Sequence, residues 1–302
     1  MRKRIAVLLL AVLAAGCSSP DWSREDPGVQ LRKFSRGVKN WLRTQRYPYG
    51  RHATADFEQV EERTWPANGI ARLKVGGRNG EVRITAGPDS IVSARIRKTW
   101  SGADTVEARA ALDRILVIAE TARGELVIRA ERPAGEHRGG VCFDRQTPPN
   151  TVLDLETSNG PIVIERMAGR IRALTSNGAI RAESTRALLE ARTSNGQVTV
   201  IDHQGPVDAI TSNGRIECEM LGLRPGEDVA LRTSNGEILL YLSRNISARF
   251  EAITSNGQVR IVGLDSVRLS RDEEAGKAGT IRSGASRISA GTSNGGISIR
   301  AR

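Results

Sequence analysis

Seven copies of Thr-Ser-Asn-Gly set what this chain can fold into. They lie at Thr157–Gly160, Thr175–Gly178, Thr193–Gly196, Thr211–Gly214, Thr233–Gly236, Thr254–Gly257 and Thr292–Gly295. The first four stand 18 residues apart, the next two follow at 22 and 21, and the last gap is 38, the length of about two repeats. A fixed four-residue corner at a near-constant step marks a repeat architecture in which each unit stacks on the next. The long last gap reads as one degraded copy.

The flanks repeat as well. Apolar or small residues stand four and two positions before each Thr, from Leu153 and Leu155 through Ile171 and Ala173 to Ile288 and Ala290. Two more follow each Gly, from Ile162 and Ile164 through Val198 and Val200 to Ile297 and Ile299. Alternation with period two is the mark of a strand with one buried face. Each repeat therefore reads as strand, corner, strand and a more variable turn. Asn and Gly tolerate positive φ, which suits a sharp corner.

Two architectures fit that unit. Asn-Gly is also the strongest short hairpin signal, and residue parity lets Thr157 and Ile162 share a face. Alternatively each repeat is one coil of a parallel β-solenoid, with equivalent corners stacked about 4.8 Å apart. Stacking explains why the corner keeps the same four residues, since like side chains then form ladders. Pro161 follows the first Asn-Gly, where a two-residue hairpin needs an N–H. The sequence favours an all-β chain, a parallel β-helix of roughly 18–22-residue coils with one short helical insertion. Its structural corners are Asn79 and Gly80, Asn159 and Gly160, Asn177 and Gly178, Asn195 and Gly196, Asn213 and Gly214, Asn235 and Gly236, Asn256 and Gly257, and Asn294 and Gly295.

Residues 1–16 read as an export signal, with Arg2, Lys3 and Arg4 before the apolar run Ile5–Leu13. That run is too short to span a bilayer comfortably. It ends at Ala14-Ala15-Gly16-Cys17, which resembles a bacterial lipobox, although Ala14 stands where Leu is usual. The resemblance implies cleavage after Gly16, diacylglycerol on the Cys17 sulfur and an acyl chain on its amine. Ser18 next to it implies the outer membrane in a host that has one. The alternative is an ordinary signal peptide that contains a Cys.

Residues 17–64 read as a lipid-anchored tether. Within it Leu31, Phe34, Val38, Trp41 and Leu42 fall at helical spacing among Arg and Lys, a basic amphipathic helix weakened by Gly37. It suits an anionic lipid surface, and equally a helix packed over the β domain or a solvated tether.

The β domain is expected over 65–302, with 65–150 as first coils and cap and 151–302 as the repeats. Leu73–Ile84 has the repeat pattern, with Gly-Arg in place of Thr-Ser before Asn79 and Gly80. Residues 103–114 have helical composition, and Pro133–Asn150 reads as a loop. After Gly263, Val267 and Leu269 hold apolar positions of the degraded coil, while Arg271–Gly279 replaces its corner with a charged loop. Arg300 and Arg302 on the final strand would discourage edge-to-edge pairing.

The Gly80 corner, the helical insertion, the Pro-rich loop and the Thr-Ser-Asn-Gly series together resemble the DUF4097-type family of bacterial adhesins, over roughly residues 65–302. That resemblance implies a β-helical fold on exported or membrane-attached proteins. It implies little about activity, because the adhesin label there is itself largely inferred.

Convergent chemistry would lie in columns, because a stack brings together equivalent positions of successive coils. The column before each Thr reads Glu156, Leu174, Arg192, Ile210, Arg232, Ile253, and the column three after each Gly reads Val163, Arg181, Thr199, Glu217, Leu239, Arg260, Ser298. Neither gathers acids. His52, His137 and His203 are scattered, His203 in a variable turn, and no metal spacing, phosphate loop or nucleophile motif is present. No cofactor, metal or catalytic residue is expected. Three Cys are too few for a disulfide scaffold, and whether Cys142 and Cys218 pair is left open. The net charge of +11 allows acidic partners without selecting one. The expected partners are the membrane through the anchor and a protein or glycan on the repeat surface, with no nucleic acid. The rival readings are a polysaccharide-active enzyme and a structural or stress-associated envelope protein.

Overall fold

The computed structural model describes residues 55–102, 104–132 and 138–302. The signal segment 1–16, Cys17, the amphipathic stretch of the tether, His52 and His137 lie outside the described residues. The N-terminal block runs β1 (Ala55–Pro66), β2 (Arg72–Gly76), β3 (Val82–Ala86), β4 (Ile91–Gly102), α1 (Thr105–Arg114), β5 (Leu116–Ala122), β6 (Glu125–Glu131) and β7 (Gly139–Thr147). The repeats supply strand pairs on either side of each corner. These are β8 and β9 (Val152–Asn159, Ile162–Glu165), β10 and β11 (Ile171–Asn177, Ile180–Glu183), and β12 and β13 (Leu189–Asn195, Val198–Gln204). They continue as β14 and β15 (Val207–Asn213, Ile216–Gly222), β16 and β17 (Asp228–Asn235, Ile238–Leu242), and β18 and β19 (Ala248–Asn256, Val259–Val262). The chain ends with β20 (Val267–Asp272), β21 (Gly276–Ile281), β22 (Ser286–Asn294) and β23 (Ile297–Ala301).

The two strands of a repeat belong to different sheets. One sheet runs β1-β4-β7-β3-β9-β11-β13-β15-β17-β23-β19, the other β20-β21-β18-β22-β16-β14-β12-β10-β8-β2-β6-β5. Asn-Gly is therefore a corner between sheets and closes no hairpin. Successive copies pair parallel and in constant register, with Thr157 beside Thr175 and Asn159 beside Asn177 beside Asn195. The period-two pattern explains the sheets. Leu153, Leu155, Ile171, Ala173, Leu189, Ala191, Ile162, Ile164, Val198 and Val200 are all buried between them in one continuous core. Each such Val, Leu or Ile contributes about 1.5–3 kcal/mol by leaving water. The exceptions sit at the end of the stack, where Ile261 is only partly buried.

Spatial order departs from chain order at both ends. The rung made of β2 and β3 lies between the rung of β6 and β7 and that of β8 and β9. The rung of β22 and β23 lies between that of β16 and β17 and that of β18 and β19. Beyond the parallel centre, pairing turns antiparallel. β4 and then β1 extend one sheet past β7, β5 extends the other past β6, and the β20–β21 hairpin extends past β18. Helix α1 starts at Asp104, whose carboxylate accepts from the Val106 N–H at 2.9 Å, and buries Ala108, Ala111 and Leu112.

Four expectations need correction. β1 begins at Ala55, so ordered strand reaches into the segment read as tether. Within Pro133–Asn150 the chain forms strand β7, because Val141 and Phe143 carry the alternating pattern that the Gly, Arg and Pro content obscures. The stretch after Gly263 is an antiparallel hairpin rather than a degraded coil, and Leu269 is exposed. Finally, Arg300 and Arg302 do not guard an edge, since β23 is flanked by β17 and β19.

Candidate functional site

Three of the four motif residues have a structural task. The Thr hydroxyls are buried and donate to the Gly carbonyl of the neighbouring rung. Thr193 reaches Gly178 O at 3.0 Å, Thr211 reaches Gly196 O at 2.9 Å, Thr233 reaches Gly214 O at 3.0 Å and Thr292 reaches Gly236 O at 3.0 Å. Thr157 lacks such a partner. The Asn side chains form one ladder of amides. Each Nδ2 donates to the next Oδ1 at 2.8 Å, from Asn177 to Asn159, Asn195 to Asn177, Asn213 to Asn195, Asn235 to Asn213, Asn294 to Asn235 and Asn256 to Asn294. Asn79 joins at the other end, its side chain 2.7 Å from the Asn159 amide. The ladder thus runs through all eight expected Asn, and its ends are Asn79 and Asn256. Asn294, last in sequence, is an interior rung.

The Gly residues are required for a reason the sequence does not reveal. A Cβ on Gly178, Gly196, Gly214 or Gly236 would sit 2.0 Å from the carbonyl oxygen of the adjacent corner, and on Gly257 it would sit 2.1 Å away. Only Gly80 (φ 133), Gly160 (φ 153) and Gly295 (φ 147) of these corners have left-handed backbone, and no corner Asn does. Close approach of stacked backbones, not φ, selects Gly at most corners.

Ser is the uncommitted member. Ser176, Ser194, Ser212, Ser234, Ser255 and Ser293 are exposed and Ser158 is half-buried. Among the described residues none of their hydroxyls has a protein hydrogen-bond partner. They stand in a single column beside the Asn ladder at the spacing of adjacent strands, about 4.8 Å. Where the ladder ends at Asn79, a polar recess of about 490 Å³ is lined by Arg78, Asn79, Arg132, Ser158 and Asn159. The sequence did not single out Arg78, Arg132 or the recess, because residues 78 and 132 meet only once β6 stacks outside β2.

The outer faces carry ion pairs. Asp154, Arg172, Glu190 and Asp208 occupy one column. Glu190 and Asp208 are register neighbours, but Arg170 reaches Glu190 at 2.7 Å and Arg192 reaches Asp208 at 2.6 Å. Each carboxylate is thus committed to a guanidinium. His203 is not in a turn but in β13, fully buried, with Nδ1 2.9 Å from the Thr185 hydroxyl. Burial pushes its pKa down to about 4. Cys142 and Cys218 form no disulfide with each other, and burial pushes Cys218 up to about 12. Among the described residues no three His, Cys, Asp or Glu are grouped to hold a metal, and no helix is long and apolar enough to cross a membrane.

No protein-family model matches this chain, and no curated protein matches it. Several solved structures align with it at low identity. A "putative cell adhesion protein" from Clostridium sporogenes ATCC 15579 is 11% identical, with TM-score 0.37, over 81% of this chain and 100% of that one. A "putative adhesin" from Bacteroides fragilis NCTC 9343 is 10% identical, with TM-score 0.35, over 81% and 97%. A "putative adhesin" from Parabacteroides distasonis ATCC 8503 is 10% identical, with TM-score 0.37, over 80% and 97%.

Proposed function

We propose that this chain is an exported, lipid-anchored β-solenoid of the DUF4097 type, a non-catalytic envelope protein that binds an extended glycan along its Ser-Asn edge. The observation that carries this reading is the Ser column. Thr, Asn and Gly recur because each is tied to the close stacking of neighbouring rungs, whereas Ser recurs at all seven corners with no hydrogen-bond partner among the described residues to require it. A row of hydroxyls at one-strand spacing, next to amides with a spare N–H and a spare lone pair, suits a ligand that repeats hydroxyls along its own length. The apolar run ending in Ala-Ala-Gly-Cys17 supports the anchor.

The test is binding of the purified mature chain to an array of neutral and acidic glycans. It is compared with a variant carrying Ser176→Ala, Ser194→Ala, Ser212→Ala and Ser234→Ala. These hydroxyls make no hydrogen bond among the described residues, so the variant should melt with the parent and lose binding about tenfold or more. Equal binding by both proteins removes the Ser edge as the site. Release of reducing ends or unsaturated products from any glycan establishes the enzyme reading instead. For the anchor, Cys17→Ala should move the protein from membrane to soluble fraction and abolish fatty-acid labelling. A parent protein already soluble after export excludes lipidation.

A further inference from the structure

The Asn-Gly steps of the ladder differ in one backbone bond. Gly80 N–H donates to Asn159 O at 2.9 Å, Gly160 to Asn177 O at 3.0 Å, Gly178 to Asn195 O at 3.1 Å and Gly196 to Asn213 O at 3.1 Å. Gly214 donates to Asn235 O at 3.0 Å, Gly236 to Asn294 O at 2.9 Å and Gly295 to Asn256 O at 3.0 Å. Gly257, on the last rung in space, has no acceptor among the described residues. The Asn256 side chain is also held from one side only. Its Nδ2 donates to Asn294, but no further rung donates to its Oδ1. The β20–β21 turn passes close by without closing the gap. Ala275 O accepts from Thr254 N–H and Glu274 O from Val259 N–H, both at 2.9 Å, so the corner between them stays open and Gly257 is exposed.

We propose that Asn256 is a spontaneous modification site, where the ladder's own end permits deamidation that its interior prevents. The Gly257 amide nitrogen, after losing its proton to solvent, attacks Cγ of Asn256. A C–N bond forms, the bond to Nδ2 breaks, and Nδ2 leaves as ammonia with a proton from water. Water then adds to either carbonyl of the five-membered imide and opens it to aspartate or isoaspartate. The net change is one side-chain amide plus one water to one carboxylate plus ammonium, with no redox change. At the interior corners the same step must first break the Gly N–H bond and swing an Asn side chain out of two amide contacts, and at Asn79, the other end, it must still break the Gly80 N–H bond to Asn159 O. That requires opening of packed rungs.

The product removes the final rung of the ladder. A carboxylate cannot donate to Asn294 Oδ1, and isoaspartate lengthens the backbone at a corner where stacked carbonyls leave no room. The chain also carries Asn68-Gly69 in an exposed turn, where Ile70 N–H donates to Ala67 O at 2.9 Å and Gly69 N–H has no acceptor among the described residues. That step serves as an internal reference for an Asn-Gly outside the ladder.

The folded protein is incubated at pH 8 and 37 °C (~ assay conditions chosen to favour amide deprotonation) and sampled by peptide mass mapping for the gain of carboxylate at each Asn-Gly. Asn256 and Asn68 should convert on a common timescale, and Asn195 at least about tenfold more slowly. Chemically unfolded protein should convert all Asn-Gly steps at similar rates. Conversion of Asn68 with Asn256 as slow as Asn195 overturns the proposal, and so does Asn195 converting as fast as Asn256. Asn256→Gln supplies an independent check, since its side chain forms the imide far less readily. The +1 Da product in the Ser255–Gln258 region should vanish from that variant while Asn68 still converts.

Discussion

At the scale of single residues, the corner works by exclusion as much as by bonding. Gly196→Ala puts a carbon 2.0 Å from the Gly178 carbonyl oxygen, and that oxygen belongs to backbone fixed in both sheets. The rungs must separate, at a cost of about 2–4 kcal/mol in urea melts. Gly291→Ala meets nothing within 4 Å and should stay within about 0.5 kcal/mol of the parent. Equal effects at the two positions would refute close approach as the reason for Gly. The same logic applies to the amides. Asn195→Ala removes two ladder bonds, and Asn294→Ala, also an interior rung, should cost as much, about 1 kcal/mol or more. Asn256→Ala removes one bond and should cost less. A loss at Asn294 as small as at Asn256 would mean that chain position, not rung position, sets the cost.

At the scale of elements, the sequence was most readable where side chains repeat and least where a backbone choice decides. Thr, Asn, Gly and the alternating apolar residues marked the strands flanking each corner, because burial and stacking both act on side-chain identity. Strand β7 was missed because its partner, β3, lies earlier in the chain and its corner lacks Asn-Gly. The second turn of the early repeats was legible as a turn but not in its backbone conformation. Arg166 (φ 58) and Ser184 (φ 52) adopt left-handed backbone there, and Asp202 (φ 53) adopts it at an irregularity within β13, without the Asn-Gly pair that marks the corners. The uncommitted Ser could be found in sequence only as part of the motif. Its lack of a partner needed the structure.

Two buried polar side chains on these elements carry predictions. Arg145 on β7 is fully buried, has none of its guanidinium nitrogens hydrogen-bonded, and lies 4.6 Å from the Phe143 ring centroid. Burial lowers its pKa to about 9. An unpaired buried cation is costly, so Arg145→Met should stabilise by about 1–3 kcal/mol, read as a higher urea midpoint at unchanged slope. A destabilised variant would show that the ring contact outweighs desolvation. His203 is held at about 4 against 6.5 when unfolded. Above pH 6.5 it is neutral in both states and its contribution is complete. Below that the unfolded chain takes the proton first, so stability falls until about pH 4, by on the order of 3 kcal/mol in all. His203→Gln should lose less stability than the parent between pH 7 and pH 4.5. Parallel losses would assign the acid sensitivity to carboxylates.

At the scale of the whole molecule, neither the first nor the last rung in sequence is an end rung in space. Chain ends ordinarily fray, yet β23 is paired on both sides, and Arg302 beyond it reaches Asp202 at 2.7 Å and Glu219 at 2.6 Å. The segment outside it, 248–285, leaves the stack after the turn that follows β17 and returns to β22 one rung nearer. Ala248 and Ser286 are register partners, as are Asn256 and Asn294, 38 positions apart in sequence. Deleting residues 248–285 would therefore join Ser247 to Ser286 with every remaining inner position still in phase, and the turn after β17 would span one rung fewer. In a stack with nearest-neighbour energetics that deletion removes the end rung, its hairpin and the one interface joining that rung to β22 and β23, and leaves the pairing of β22 and β23 with β16 and β17 in place. Removing 286–302 instead takes out an interior rung and leaves β18 and β19 with no partner on the side facing β16 and β17. The deletion of 248–285 should fold, with a cooperative melt and slow amide exchange in β23. The truncation of 286–302, although less than half as long, should lose the order of 248–285 as well and melt earlier than the deletion. A truncated protein at least as stable as the deletion would mean that β22 and β23 are not the interior rung on which the end of the stack is built.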